Sequence, residues 1–199
     1  MKFNYPIGAT PLTKDELEDL IPAYIRTQSD LNTAEQMNIS KAKLTIGKKK
    51  YSFDSVLDDL LIRKLHKLMF GDVWQWAGKY RKSDKNIGVD WRYINVELKQ
   101  LLDNTKFQID KNSYSEFEIA IRFHHKFVWI HPFPNGNGRL ARILTDMLLA
   151  TISNQKFTWG GSNIYDYKIA SKIREQYIKA LRKAEKGEYN QLMKFATAI

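Results

Sequence analysis

The chain has 199 residues, a formal net charge of +10 and no cysteine. Hydrophobic residues at 43% and aromatics at 13% exclude a disordered chain, and the missing cysteines exclude a disulfide framework and thiolate chemistry. Met1-Lys2-Phe3-Asn4-Tyr5-Pro6 lacks the apolar core of a secretory leader, and no apolar run reaches membrane-spanning length, so a cytoplasmic protein away from membranes is expected.

Thr13-Lys14-Asp15-Glu16 reads as a capping box opening a short helix that Pro22 interrupts. A second helix is predicted from about Asp30 to Leu44, and residues 47–51 form a loop in which Lys48-Lys49-Lys50 is the densest basic cluster. Residues 1–50 are therefore read as an N-terminal helical extension and 51–199 as the main domain. In that domain Val56, Leu57, Leu60, Leu61, Leu65, Leu68 and Met69 form a helical stripe. Trp74-Gln75-Trp76 makes a turn between Gly71 and Gly78. Tyr80 to Tyr93, with Asn86-Ile87-Gly88-Val89-Asp90 inside it, reads as a small β-hairpin or extended flap.

A helix from about Val96 to Gln108 follows. Ser115 and Glu118 are expected to form another capping box, opening a helix with the stripe Ile119, Phe123, Phe127 and Ile130. Pro132 stops that helix near His131. A new helix starts near Gly138, a later one carries Ile169, Ile173, Tyr177 and Leu181, and a last short one carries Leu192 and Phe195. The fold class is all-α, a helical bundle with one small β-hairpin.

The chemistry concentrates in His131-Pro132-Phe133-Pro134-Asn135-Gly136-Asn137-Gly138-Arg139-Leu140-Ala141-Arg142. Glycine and asparagine tolerate positive φ, so successive amides at Gly136 and Gly138 can converge on an anion at the start of a helix. Arg139 and Arg142, three apart, share a face at the first turn, where arginine is unfavourable for the helix dipole unless an anion compensates. His131, where helix meets loop, is placed to act as a general base. Phe133 reads as an apolar anchor. His66 reads as structural, His124 and His125 as core-edge or solvent residues, and the histidines lack metal-site spacing. The charge alone permits nucleic-acid binding, but no nucleic-acid-binding signature accompanies it.

The run closely resembles the signature of the Fic/Doc (Fido) domain family, H-x-F-x-[D/E]-G-N-G-R-x-x-R, at His131, Phe133, Gly136, Asn137, Gly138, Arg139 and Arg142. The resemblance covers roughly residues 51 to 199. Phe157-Thr158-Trp159-Gly160 is similar to the bacterial subgroup called mobile mystery protein B. It implies a Fic-type bundle and a protein adenylyltransferase, which moves AMP from ATP, with Mg²⁺, to a Ser, Thr or Tyr hydroxyl of a target protein. By the resemblance His131 is the general base, Asn137 with the Gly136 and Gly138 amides holds the α- and β-phosphates, Arg139 neutralises phosphate charge, and Arg142 holds the γ-phosphate. Ile87, Gly88 and Val89 are the flap that docks the target by strand addition.

Asn135 departs from the signature, which has Asp or Glu there for Mg²⁺; an amide oxygen is the weaker ligand. The alternative is a Fic domain of weak or no activity that binds nucleotide or a partner protein. A phosphotransferase of the Doc branch is disfavoured by the intact Gly136-Asn137-Gly138-Arg139 stretch. The inhibitory motif of many members, [S/T]-x-x-x-E-[G/N], is absent; two readings of the N-terminal helix stay open, one in which Asp30 or Glu35 reaches Arg142 in its place and one in which the extension only packs on the core. A toxin-like or self-regulated protein fits this pattern, and the oligomeric state is open.

Overall fold

The computed structural model describes residues 10–161 and 167–198. Met1 to Pro6 and the side chain of Ile169 lie outside the described residues. Among the described residues the chain runs through α1 (Lys14–Glu18), α2 (Gln28–Gly47), α3 (Phe53–Val56), α4 (Asp59–Phe70), a 3₁₀ turn (Trp91–Tyr93), α5 (Ile94–Asp110), α6 (Glu116–Ile130), α7 (Asn137–Ser153), α8 (Tyr167–Ala184) and α9 (Asn190–Thr197). The bundle is held by α6 along α7, α2 along α4, α5 on α6 and α8 along α9.

Local chemistry accounts for most of the helix starts. Thr13 and Glu16 make the expected capping box. Thr27 and Asp30 make a second, which starts α2 at Gln28. At α6 Ser115 accepts from the Glu118 amide, but no box closes: the Glu118 carboxylate takes Arg122 one turn on. Asp58 caps α4.

Two apolar clusters form the core. The larger runs from Leu12 and Ile25 through Leu31, Ile39, Ile62, Phe70 and Trp74 to Phe127, Phe133, Leu140 and Leu144, so the N-terminal helices and the α4–α7 layer share one interior. The smaller joins Ile121, Leu149, Phe157, Ala180, Leu192 and Phe195. Trp159 donates to Asp146 at 2.9 Å, and Thr158 is tied to the end of α9 through the Ala196 carbonyl, so the Phe157-to-Gly160 segment fastens α7 to α9. No described helix is long and apolar enough to cross a membrane.

Residues 80–90 form an irregular loop and not the expected hairpin; among the described residues the one β-bridge joins Leu20 to Trp74. The cause is local. The Arg81 guanidinium takes the Ser83 and Val89 carbonyls, and Gly88 sits at φ +105°, so this backbone does not run as a paired ladder.

Candidate active site

α6 ends inside the protein. His131 caps it in the left-handed conformation (φ 54°, ψ 58°), which is strained for a residue with a side chain. Arg81, itself buried, braces the turn. Its Nε donates to the His131 carbonyl at 2.7 Å, and its terminal nitrogens donate to the carbonyls of Ser83 (2.9 Å), Ile130 (3.4 Å) and Val89. Gly88 lies so close that a Cβ there would stand 2.8 Å from the His131 Cβ and 2.9 Å from an Arg81 nitrogen.

The His131 ring is 6% exposed. Its Nε2 lies 3.2 Å from the Thr10 hydroxyl, and its Nδ1 has no hydrogen-bond partner among the described residues. Burial first, then the positive charge of Arg81, pushes its pKa down to about 4, with the Val128 carbonyl opposing. The ring is therefore neutral at neutral pH and able to take a proton.

From His131 the chain turns into α7 through a loop pinned at three points. Phe133 is fully buried and stacks on His66, with ring centroids 3.8 Å apart and planes 10° apart. The Asn137 side chain accepts from the Phe133 amide at 2.9 Å and donates to the Phe133 carbonyl at 2.8 Å. With both its polar atoms so engaged, Asn137 shapes the loop and leaves the expected phosphate contact to backbone amides. His66 accepts from the Gly78 amide on Nδ1, which leaves Nε2 to donate to the Asn135 carbonyl at 3.0 Å.

Gly136, at φ +81°, opens α7 against Phe70; a Cβ there would come within 2.5 Å of that ring. Its amide is taken by Asn135 Oδ1 at 2.6 Å, so the amides left without a partner among the described residues at this helix start are those of Asn137 and Gly138.

The two arginines separate. Arg139 pairs with Glu35 of α2 at 2.6 Å and lies over the Phe70 ring. Glu35 is buried, and its other oxygen accepts from the Trp74 indole at 2.8 Å. Arg142 has no carboxylate partner among the described residues and faces the Tyr177 ring, 5.6 Å from its centroid. Glu35 thus meets the first arginine and not Arg142 as expected. Asp30 reaches neither, because its carboxylate accepts from the Arg26 and Thr27 amides at the start of its own helix.

α8 adds a third cation. The Arg174 side chain is exposed as a whole, yet its guanidinium is crowded. That loss of water, followed by the positive charges of Arg139 and Arg142, lowers its pKa. His124, expected at the core edge, is wholly buried between Thr145 (3.2 Å) and the Tyr177 hydroxyl (2.8 Å), and burial depresses its pKa to about 3. The turn into α7 therefore sets a neutral histidine beside two amides and an arginine that have no hydrogen-bond or carboxylate partner among the described residues.

The profile of the Fic/DOC family matches residues 56–149. A probable protein adenylyltransferase of Sinorhizobium fredii is 30% identical over 137 residues, which is 63% of this chain and 67% of that protein. The chain belongs to the Fic/DOC family. A probable protein adenylyltransferase of Aquifex aeolicus is 43% identical over 68 residues, 34% of this chain and 18% of its own length. Most of the curated relatives it matches are far longer, and the chain spans between 18% and 26% of three of them. The fold matches the BepC protein of Bartonella tribocorum, solved with bound AMPPNP, with a TM-score of 0.69, 16% identity and coverage of 94% of this chain and 98% of that one.

Within the Fic motif the structure brings His131, Asn135, Gly136, Asn137, Gly138, Arg139 and Arg142 together, with Gly88 against His131, the Val89 amide on the Ile130 carbonyl and Ile87 exposed. Mg²⁺ is a poorer fit. Among the described residues no group of three or more His, Asp or Glu could hold a metal ion, and Asn135 offers an amide oxygen already bonded to Gly136. Arg81 carries no motif signal in the sequence, and Thr10 lies 121 residues from the histidine it touches.

Replacing Arg81 by Ala leaves several buried carbonyls unpaired, so it should lower stability by roughly 3–4 kcal/mol, read as an earlier denaturant midpoint at unchanged slope. A midpoint within error of wild type would remove Arg81 from this role. The pH dependence has a fixed sign. His66 and His124 (about 3) and His131 (about 4) are all depressed by burial below the usual 6.5, so each contributes stability that is full above pH 6.5. It is lost as pH falls toward the folded values, at up to about 1.4 kcal/mol per unit for each ring. Urea midpoints measured between pH 7.5 and 4.5 should fall steadily, and His66→Phe or His124→Phe should flatten the slope.

Proposed function

We propose that this chain is a protein adenylyltransferase that moves AMP from ATP to a Ser, Thr or Tyr hydroxyl of a cytosolic target protein. The observation that carries this reading is the turn into α7, which sets a neutral buried histidine beside the amides of Asn137 and Gly138 and beside Arg142, which have no hydrogen-bond or carboxylate partner among the described residues. The relatives named as protein adenylyltransferases support it.

The target oxygen forms a bond to the α-phosphorus, the α–β phosphoanhydride bond breaks, and pyrophosphate leaves. His131 Nε2 takes the hydroxyl proton. The α7 amides and Arg142 balance phosphate charge, the dominant requirement in phosphoryl-type transfer. Asn135 would be the residue nearest to holding Mg²⁺, through a neutral amide oxygen, and the ion when bound would supply neutralisation of phosphate charge. Ile87, Gly88 and Val89 dock the target segment beside the base.

The Glu35–Arg139 pair gives a second layer. While it stands, one of the two motif arginines is occupied by a buried carboxylate, and α2 holds the site in a restrained state. The alternative reading, a nucleotide-binding Fic domain of weak or no activity, is favoured by the Asn135 amide where the signature carries a carboxylate.

Transfer from α-labelled ATP with Mg²⁺ or Mn²⁺ to a cell lysate tests both readings. Label that needs His131, absent in His131→Ala, supports adenylyl transfer. Label only in Asn135→Asp supports the weak-site alternative. Glu35→Gln keeps an acceptor for Trp74 while removing the negative charge that holds Arg139, so it should raise labelling roughly 5- to 150-fold, the span of an ordinary coupling free energy. Unchanged labelling in Glu35→Gln would remove the restraint.

A further inference from the structure

The chain carries its own hydroxyl against its base. Thr10 is buried, 6% exposed, and its Oγ1 lies 3.2 Å from His131 Nε2, within hydrogen-bonding reach of the nitrogen that would take the proton of an attacking alcohol. This contact is not a frayed end resting on the surface. Leu12 is set into the main core. The Pro11 carbonyl accepts from Lys85 at 3.3 Å, and Lys85, almost wholly buried, also pairs with the Glu16 carboxylate. Glu16 in turn caps the Thr13 amide, and its carbonyl accepts from the Trp76 indole at 3.1 Å. Residues 10–16 therefore form a strap fastened to the loop of residues 80–90 and to the tryptophan turn, with a secondary alcohol delivered to the base.

We propose that Thr10 is a self-modification site: with a nucleoside triphosphate in the cradle, its hydroxyl is the acceptor for the AMP group in cis. The proposal rests on the nucleotidyl-transfer reading above. Thr10 Oγ1 forms a bond to the α-phosphorus, the α–β phosphoanhydride bond breaks, pyrophosphate departs, and the hydroxyl proton passes to His131 Nε2. Base and cradle belong to one turn pinned by His66 and Asn137, so a hydroxyl bonded to the base is already near the reacting phosphorus, and the ordering entropy of the acceptor is met in the fold. The bulky nucleotide on Thr10 would then not fit the space this buried side chain fills, so the strap would leave the base and open it to other hydroxyls.

The test uses the full chain with α-labelled ATP and Mg²⁺ or Mn²⁺, in wild type and in Glu35→Gln, with intact mass and fragmentation mapping beside a parallel lysate. The expected result is one AMP adduct on Thr10. It should form at a rate independent of protein concentration, vanish in Thr10→Val and in His131→Ala, and persist in Thr10→Ser. Adducts on lysate proteins or on other residues, with Thr10 bare, overturn the proposal and leave the transferase reading standing. A rate that scales with protein concentration overturns the claim of reaction in cis. No label on the chain or in the lysate, in either background, overturns the transferase reading and this proposal with it.

Discussion

A helix that ends in the interior must dispose of its last carbonyls, and α6 does so through a guanidinium. Arg81 gathers the carbonyls of Ile130 and His131 with those of Ser83 and Val89, which ties the helix end to the neighbouring loop. Burying a cation is costly unless its donors are well used, and here all three guanidinium nitrogens donate. The positive charge has an electrostatic consequence beyond packing, because it lowers the pKa of the adjoining His131. One residue thus fixes the position of His131 and the shape of the loop beside it, and adds to the burial that keeps the ring neutral.

The second constraint is the strained entry into α7. Gly136 has no room for a side chain against Phe70, and the loop before it is held by the Asn137 amide bonded at both ends to Phe133 and by the His66 ring that stacks on Phe133 and grips the Asn135 carbonyl. His66 can donate there only because the Gly78 amide occupies its other nitrogen, so a tautomer fixed in the tryptophan turn carries through to the cradle. This explains why α7 begins with two amides in a defined direction that have no partner among the described residues.

What the sequence revealed follows from locality. Capping at Thr13, the stop imposed by Pro132, the apolar stripes of α4, α6 and α7, and the motif run are all patterns within a few turns of chain, and the structure places the elements where they point. What it hid is long-range. Nothing near Arg81 announces that it will meet residues fifty positions on, and nothing in Thr10 announces His131. The hairpin expectation, drawn from the polar stretch around Asn86 to Asp90, failed because Arg81 spends its donors on the Ser83 and Val89 carbonyls within the loop as well as on the end of α6. Glu35 was visible as a carboxylate on a helix, but which arginine it meets depends on how α2 seats on α4.

That seating couples the N-terminal helices to the cradle. Glu35 holds Arg139 with one oxygen and the Trp74 indole with the other, in a place with almost no water. A triphosphate competing for Arg139 therefore leaves a buried carboxylate with one neutral donor, a costly state unless α2 shifts enough to rehydrate it. Leu31, Ala34, Ile39 and Ala42 resist that shift because they belong to the main core. If nucleotide binds as proposed, its binding and α2 docking weaken each other by the same free energy, whichever is measured. On the proposed reading Arg142, which no acid neutralises among the described residues, is the nucleotide's first foothold before Glu35 is displaced.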